Sequence, residues 1–299
     1  MLEVTNIRVR SFDVGYLDIY WDIKPVFEDV NNYEFIVQKS ENEFGPYHDL
    51  TVPVVNTFHI RDNTVRGQFS FYHKIYYRVK VRRRDDDTVS KTWPELGGAK
   101  LAAKPDLAAL EMARLNNLRL KEFSGRQLWV YPRKKAGQRC RICFDEVSQR
   151  RLRSGCSVCF DTGWVGGYYA PITTHGLVVS PDESVIHANF GDVQNENTVL
   201  FAGNYPELSE GDIVVEAENI RWRIGSTINK IKKARALVRQ QAQIHRVPKG
   251  DIEYTIPLNL TEIEVKDLLA SPERNYTNPQ SLESDNLASA LNNIYGKRV

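Results

Sequence analysis

The sequence predicts a mainly β, multidomain chain on three observations. Residues 1–97 and 173–262 consist of short runs in which apolar and polar residues alternate, punctuated by turn residues at intervals that suit packed sheets. Fourteen Tyr against two Met favour strands over helical bundles. All four cysteines lie between those stretches, as Cys140-Arg-Ile-Cys143 and Cys156-Ser-Val-Cys159 with twelve residues between the pairs. A chain of 299 residues, 41% of them hydrophobic, has length for two or three domains and at least one conventional core. The expected order is a β-sandwich at 1–97, a connecting helix at 98–128, a small four-cysteine zinc module at 129–172, a second small β domain at 173–262 and a polar, extended C-terminal arm at 263–299.

In the first unit, Asn6–Arg10, Tyr16–Ile23, Tyr33–Gln38, Phe58–Arg61, Ile75–Arg82 and Val89–Trp93 read as strands. Leu17, Ile19 and Trp21 share one face of the second run. In the fifth, Tyr77, Val79 and Val81 face in while Arg78, Lys80 and Arg82 face out. The stretch resembles a fibronectin type III module, with Trp21 in the place of the buried strand-B tryptophan and Tyr77-Arg-Val-Lys-Val81 in the place of the strand-F tyrosine pattern. That likeness covers about a third of the chain and implies a surface or spacer module rather than a catalytic one. Arg82-Arg-Arg-Asp-Asp-Asp87 reads as a charged hairpin tip; its three Asp are either a cation site or a solvated turn.

Pro105–Ser124 reads as a helix, opened by proline in its first turn and stopped by Gly125. Leu107, Leu110, Arg114, Leu115 and Leu118 form a mixed stripe, expected to dock on a neighbouring domain or else to bind a partner.

The knuckles have metal-site spacing, because a two-residue gap lets both sulfurs of one turn point at a common centre. Cys140, Cys143, Cys156 and Cys159 are therefore expected to hold one structural Zn2+, with two disulfides or an iron–sulfur cluster as alternatives. Four thiolates around zinc leave a charge of about −2, and residues 126–153 hold nine Lys/Arg against two acids to offset it. Gly137, Gly155 and Gly163 allow tight turns beside the sulfurs. Trp129, Tyr131, Phe144, Phe160, Trp164, Tyr168 and Tyr169 are expected to pack over the site. With every position taken by cysteine, no open coordination position remains for catalysis.

Beyond the module, Leu177–Val179, Thr198–Phe201, Asp212–Val215, Arg221–Gly225 and Ile252–Pro257 look strand-like. Lys230–Arg246 is basic and Gln-rich, either a helix or a pair of strands. Lys230–Lys249 carries seven Lys/Arg and no acids, whereas Asp251–Asp285 carries eight acids against two bases. The two runs are solvated faces, pair within one chain, or pair between neighbouring copies. From about Val265 the chain turns polar, with Leu282–Tyr295 as a short helix that orders on a partner.

The sequence has no P-loop, no G-x-G-x-x-G after a strand, no G-x-S-x-G and no H-E-x-x-H. Its six histidines are scattered; His175 and His187 are nearest to the module, and Asp145-Glu146 is a weak acid–base pair. These observations argue for a non-enzymatic protein. No apolar run approaches a membrane span and the N-terminus shows no signal pattern, so a cytosolic, reduced compartment is expected, which favours metal over disulfide. Nucleic-acid binding through Arg133-Lys-Lys135, Arg139, Arg141 and Arg150-Arg-Leu-Arg153 is a rival, although a pI near 8.2 is modest for such a protein. The second knuckle also resembles the cysteine repeats of J-domain co-chaperones. That family has four repeats and two metals, against two repeats and no J domain here.

Tyr131-Pro-Arg-Lys-Lys-Ala-Gly-Gln-Arg-Cys-Arg-Ile-Cys143, the second knuckle, Gly163-Trp-Val-Gly-Gly-Tyr-Tyr169, Gly211-Asp-Ile-Val-Val215 and Arg221-Trp-Arg-Ile224 together resemble virion structural proteins of tailed bacteriophages, over roughly residues 125–260. The resemblance implies a component of the neck or head–tail connector region, or of the baseplate and tail. It further implies several copies in a ring, contacts with other neck, tail or baseplate proteins, and residence in the virion after assembly in the host cytoplasm.

Overall fold

The computed structural model describes residues 2–258, apart from 86–89, 103, 146, 180–183, 189–190, 196 and 235. The expected arm at 263–299, with its helix Leu282–Tyr295, and Asp86 and Asp87 of the acidic turn lie outside the described residues.

The first unit places two antiparallel sheets on one core. Strands β1 (Val4–Arg10), β2 (Leu17–Ile23), β3 (Tyr33–Ser40), β4 (His48–Asp49), β5 (Val54–Val55) and β6 (His59–Asp62) are followed by helix α1 (Gly67–His73), then β7 (Tyr76–Arg83), β8 (Ser90–Trp93) and β9 (Ala99–Lys100). One sheet runs β1-β2-β6 and the other β4-β3-β7-β8, with β5 beside β3 and β9 beside β7. The alternation explains the packing: Leu17, Ile19 and Trp21 from β2 meet Phe35 and Val37 from β3 and Tyr77, Val79 and Val81 from β7, all at most 1% exposed. Asp18, on the opposite face of β2, is buried too, and accepts hydrogen bonds from Arg61 Nε at 2.9 Å and from the His59 ring at 2.8 Å. The six expected strands correspond to β1, β2, β3, β6, β7 and β8. The shorter β4, β5 and β9 and helix α1 were not foreseen.

Helix α2 (Leu107–Arg119) is capped by Asp106, whose carboxylate accepts from Ala108 N and Ala109 N, and it passes through a π turn at Leu120–Ser124 to Gly125. Its buried face is Ala109, Leu110, Ala113 and Leu120, and it lies against the strand Ala236–Arg246 of the second unit. The expected stripe is corrected: Leu110 packs inward, whereas Leu107, Leu115 and Leu118 face solvent. The small alanines allow the close approach that larger side chains would prevent.

The second unit is a closed six-stranded antiparallel barrel. In chain order its strands are β10 (Arg126–Tyr131), β11 (Ile172–Val178), β14 (Asn197–Ala202), β15 (Ile213–Glu216), β16 (Ile220–Lys233) and β17 (Ala236–Arg246); β12 (Ser184–Ala188) and β13 (Gly191–Asn195) form a separate hairpin that the sequence did not announce. Around the barrel the neighbours run β10-β11-β14-β17-β16-β15. Leu128, Val130, Val178, Leu200, Val214, Trp222, Ile224, Ala242 and Ile244 fill the interior. Lys230–Arg246 is a strand pair, since Val238, Gln240, Ala242 and Ile244 alternate inward. Ile252–Pro257 is corrected from a strand to a 3-10 turn, Ile252–Thr255. Its carbonyls are taken by the Arg221 guanidinium, which donates to Glu253 O and Ile256 O, rather than by a neighbouring strand.

The boundaries expected at 128/129 and 172/173 fall inside β10 and β11. Trp129–Tyr131 therefore run in the barrel wall, and the cysteine module is the connection between two adjacent barrel strands.

Candidate metal centre

Residues 132–171 leave and re-enter the barrel between β10 and β11, and carry the two knuckles with little regular structure of their own. Both knuckles repeat the pattern Cys-x-x-Cys-Phe-Asp, at Cys140–Asp145 and Cys156–Asp161. Backbone hydrogen bonds close each turn: Phe144 N donates to Cys140 O at 3.1 Å and Thr162 N to Cys159 O at 2.9 Å. Gly137, Gly155 and Gly163 all adopt positive φ, as their placement beside the sulfurs required. At Gly167, φ is 62° and an added Cβ would lie 2.8 Å from Cys159 O, so only glycine fits where the chain returns past the second knuckle.

The four cysteines are buried, and their sulfurs lie within 4.8 Å of one another. Cys140 Sγ and Cys156 Sγ are 3.8 Å apart, and Cys143 Sγ and Cys159 Sγ 3.1 Å. A sulfur-to-sulfur bond would measure about 2.05 Å, so these are four free thiols. A tetrahedron with metal–sulfur bonds of about 2.3 Å has edges of about 3.8 Å, so the geometry and the all-sulfur donor set fit a possible metal site. Among the described residues no histidine or carboxylate joins this group. His175 instead lies on β11 opposite Gln127.

The thiols are electrostatically unequal. Burial and the neighbouring Cys159 and Cys140 sulfurs push Cys143 up, and burial pushes Cys159 up. At Cys156, burial acts in the same direction but is outweighed by backbone N–H groups of Cys159 and Val158, which bring the thiol down to about 7. A cation would favour the thiolate at all four positions.

Asp161 and Phe144 support the site. Asp161 accepts from Gly155 N at 3.0 Å and Cys156 N at 3.1 Å, tying the end of the second knuckle to its start. Asp145 accepts from Val147 N and Ser148 N, holding the turn that follows the first knuckle. The supporting role of Asp161 was missed from the sequence, although the repeated Phe-Asp after each second cysteine signals it. Arg139 lies between the rings of Phe144, at 4.3 Å, and Trp164, at 3.7 Å.

Most of the basic residues near the knuckles are committed to this architecture. Lys134 is buried and donates to Val165 O at 2.9 Å, with burial lowering its pKa. Arg141 donates to Phe27 O at 2.8 Å, Arg151 to Asp161 O at 2.6 Å, and Arg126 pairs with Glu216 at 3.2 Å. Lys135, Arg141, Arg150, Arg151 and Arg153 are all exposed.

The module touches both β units. Toward the sandwich, Arg139 N donates to Val26 O and Val26 N to Gly137 O, and Tyr169 meets Phe58 edge-on with ring centroids 5.9 Å apart. Toward the barrel, Arg133 N donates to Asp212 Oδ1 at 2.8 Å, and Tyr168 joins Trp129, Tyr131, Ile213 and Val215 in an apolar layer on the outside of β10 and β15. A cleft of about 450 Å³ separates module and barrel; Phe160 and Tyr168 line it, together with Arg151, Asp161, Arg223 and Glu253. Its charges are largely matched internally, since Arg223 pairs with Glu253 and Arg151 with Asp161.

No helix among the described residues is long and apolar enough to cross a membrane. No protein-family model matches the chain, and no curated protein matches it.

Proposed function

We propose that this chain is a non-enzymatic structural component of a tailed-phage virion, a ring-forming protein of the neck or head–tail connector region, in which Cys140, Cys143, Cys156 and Cys159 hold one structural Zn2+. The observation that carries this reading is the position of the cysteine module, wedged between sandwich and barrel and hydrogen-bonded to both. A metal there fixes the angle between two β units, which is what a protein repeated around a ring requires. All four sulfurs are buried, so the ion's contribution is folding free energy rather than substrate chemistry. The commitment of Lys134 and Arg139 to internal contacts removes two of the module's cations from any nucleic-acid surface. Two antiparallel sheets over one core, with Trp21 and Tyr77 both buried, support the fibronectin type III likeness and hence a spacer role for residues 1–97. The baseplate is the nearest alternative location.

Native mass spectrometry at two salt concentrations tests the reading. One zinc per chain, with a salt-resistant ring or with monomers recruited to a neck protein, supports it. A zinc-bearing monomer that sheds nucleic acid as salt rises contradicts it, and a mass deficit of four hydrogens without metal excludes the zinc centre. Replacing Cys143 with Ser is expected to abolish metal retention and open residues 132–171 to protease.

A further inference from the structure

The hairpin of β16 and β17 outruns the barrel. β15 pairs with β16 only from Ile220 to Arg223, and Gly211 and Asp212 then bond to Ile224. Among the described residues no strand pairs with that edge of β16 from Gly225 to Lys233, while its other edge stays paired with β17 as far as Lys233 opposite Ala236. Ser226, Thr227, Asn229 and residues 231–234 are exposed. An open edge of this kind is a template for a further strand, and lysines are the usual means of reserving it.

This edge reads Lys230-Ile231-Lys232-Lys233, and the chain carries its charge-reversed counterpart, Glu262-Ile263-Glu264-Val265. In an extended segment Glu262 and Glu264 share one face and Ile263 and Val265 the other; the β16–β17 ladder shifts register between Ile231 and Lys232, but the extra residue, Val238, lies on β17, so along β16 Lys230 and Lys232 share one face and Ile231 and Lys233 the other. Laid side by side, the two segments set acid beside lysine and isoleucine beside isoleucine. Lys230 already contacts Glu207 at 3.0 Å, so Lys232 is the lysine of that face exposed for a new partner.

We propose that Glu262–Val265 of a second copy of this chain adds as a strand to the open edge of β16; this deepens the ring reading and rests on it. Within one chain the match is poorly placed. Ile256 is held by Arg221 near the start of β16. Ile231 lies roughly 25–30 Å along the hairpin from there, whereas seven residues from Ile256 to Ile263 span at most about 25 Å when fully taut. A neighbour's segment meets no such limit, and main-chain pairing to each next copy propagates around a ring.

The test mixes two full-length variants, Ile231→Cys and Ile263→Cys, and treats them with a short bis-maleimide, with the parent chain as control for the buried native thiols. Ile231 is 41% exposed, so its replacement is tolerated. Covalent dimers of one chain of each variant are expected. Adding Glu262→Lys and Glu264→Lys to the arm variant is expected to cut the yield about tenfold. Adding Lys232→Glu to the edge variant as well should recover part of it. A mixture that stays monomeric, or a chain carrying both Ile231→Cys and Ile263→Cys that links only within itself, overturns the proposal. If the parent chain still forms a ring by native mass spectrometry while the mixture does not cross-link, the seat of the arm is wrong and the ring reading stands. If the parent forms no oligomer, alone or with neck proteins, the ring reading falls and this inference with it.

Discussion

Two aspartates show how one residue type serves opposite ends. Asp161 sits on the surface side of the second knuckle and accepts two backbone N–H groups, which hold it below the usual carboxylate range against the effect of burial. Because those N–H groups belong to Gly155 and Cys156, the carboxylate sets the direction in which Cys156 Sγ points. Asp161→Ala is expected to weaken metal retention about 10- to 100-fold in a chelator competition, the usual range for groups that orient a ligand. Asp145→Ala, whose carboxylate serves only the turn at Val147 and Ser148, should change it far less. Asp212 is the opposite case. Burial lifts it to about 6, although Arg133 N and Ser209 N donate to it and oppose the rise. Its unfolded value is about 3.9, so between roughly pH 4 and 6 the native state binds the extra proton and stability falls as pH rises, by at most about 3 kcal/mol. Thermal melts across that window should show the decline, and Asp212→Asn should flatten it.

At the scale of the element, helix α2 separates what periodicity reveals from what it hides. Its stop was legible from Gly125, whereas Pro105 precedes the Asp106 cap instead of lying in the first turn, and the helix starts at Leu107. Its buried face was not legible, because the barrel selected Ala109 and Ala113 for close approach and left three leucines outside. Leu110→Ala is therefore expected to lower stability by about 2–3 kcal/mol. Leu115→Ala should change it by no more than about 0.5 kcal/mol; equal effects in denaturant titrations would contradict this packing. The same contrast runs through the chain. Strands β2 and β7 were legible since Leu17, Ile19 and Trp21, and Tyr77, Val79 and Val81, keep strict period two. The 3-10 turn at Ile252–Thr255 looked like a strand because Tyr254, Ile256 and Leu258 join the apolar layer of Trp129 and Val215, a placement visible only in three dimensions. The four cysteines were legible from spacing alone. That β10 and β11 frame them was not, since nothing local marks residues 132–171 as a connection inside a barrel.

For the whole molecule, the decisive feature is that the two large cores are separate and each is complete. The sandwich core and the barrel interior share no residue, while the apolar layer outside β10 and β15 and the cysteine cluster are two smaller ones. Direct contacts between sandwich and barrel include Arg10 with Glu207, Asn204 Nδ2 donating to Phe12 O at 2.7 Å, and Tyr205 meeting Phe12 and Arg61. The module adds a second, independent attachment through Val26, Phe27 and Tyr169. Forty residues with no sizeable apolar core of their own depend on the sulfur cluster for order. Removing metal from the full chain with a chelator and reductant should therefore release one attachment and spare both cores. Hydrogen exchange is expected to rise across residues 132–171 and at Val26, while amides of β3, β7, β14 and β17 keep their protection. Protection lost throughout would mean that the cluster supports the entire fold, and protection unchanged in the module would mean that the four thiols pack without help from a metal.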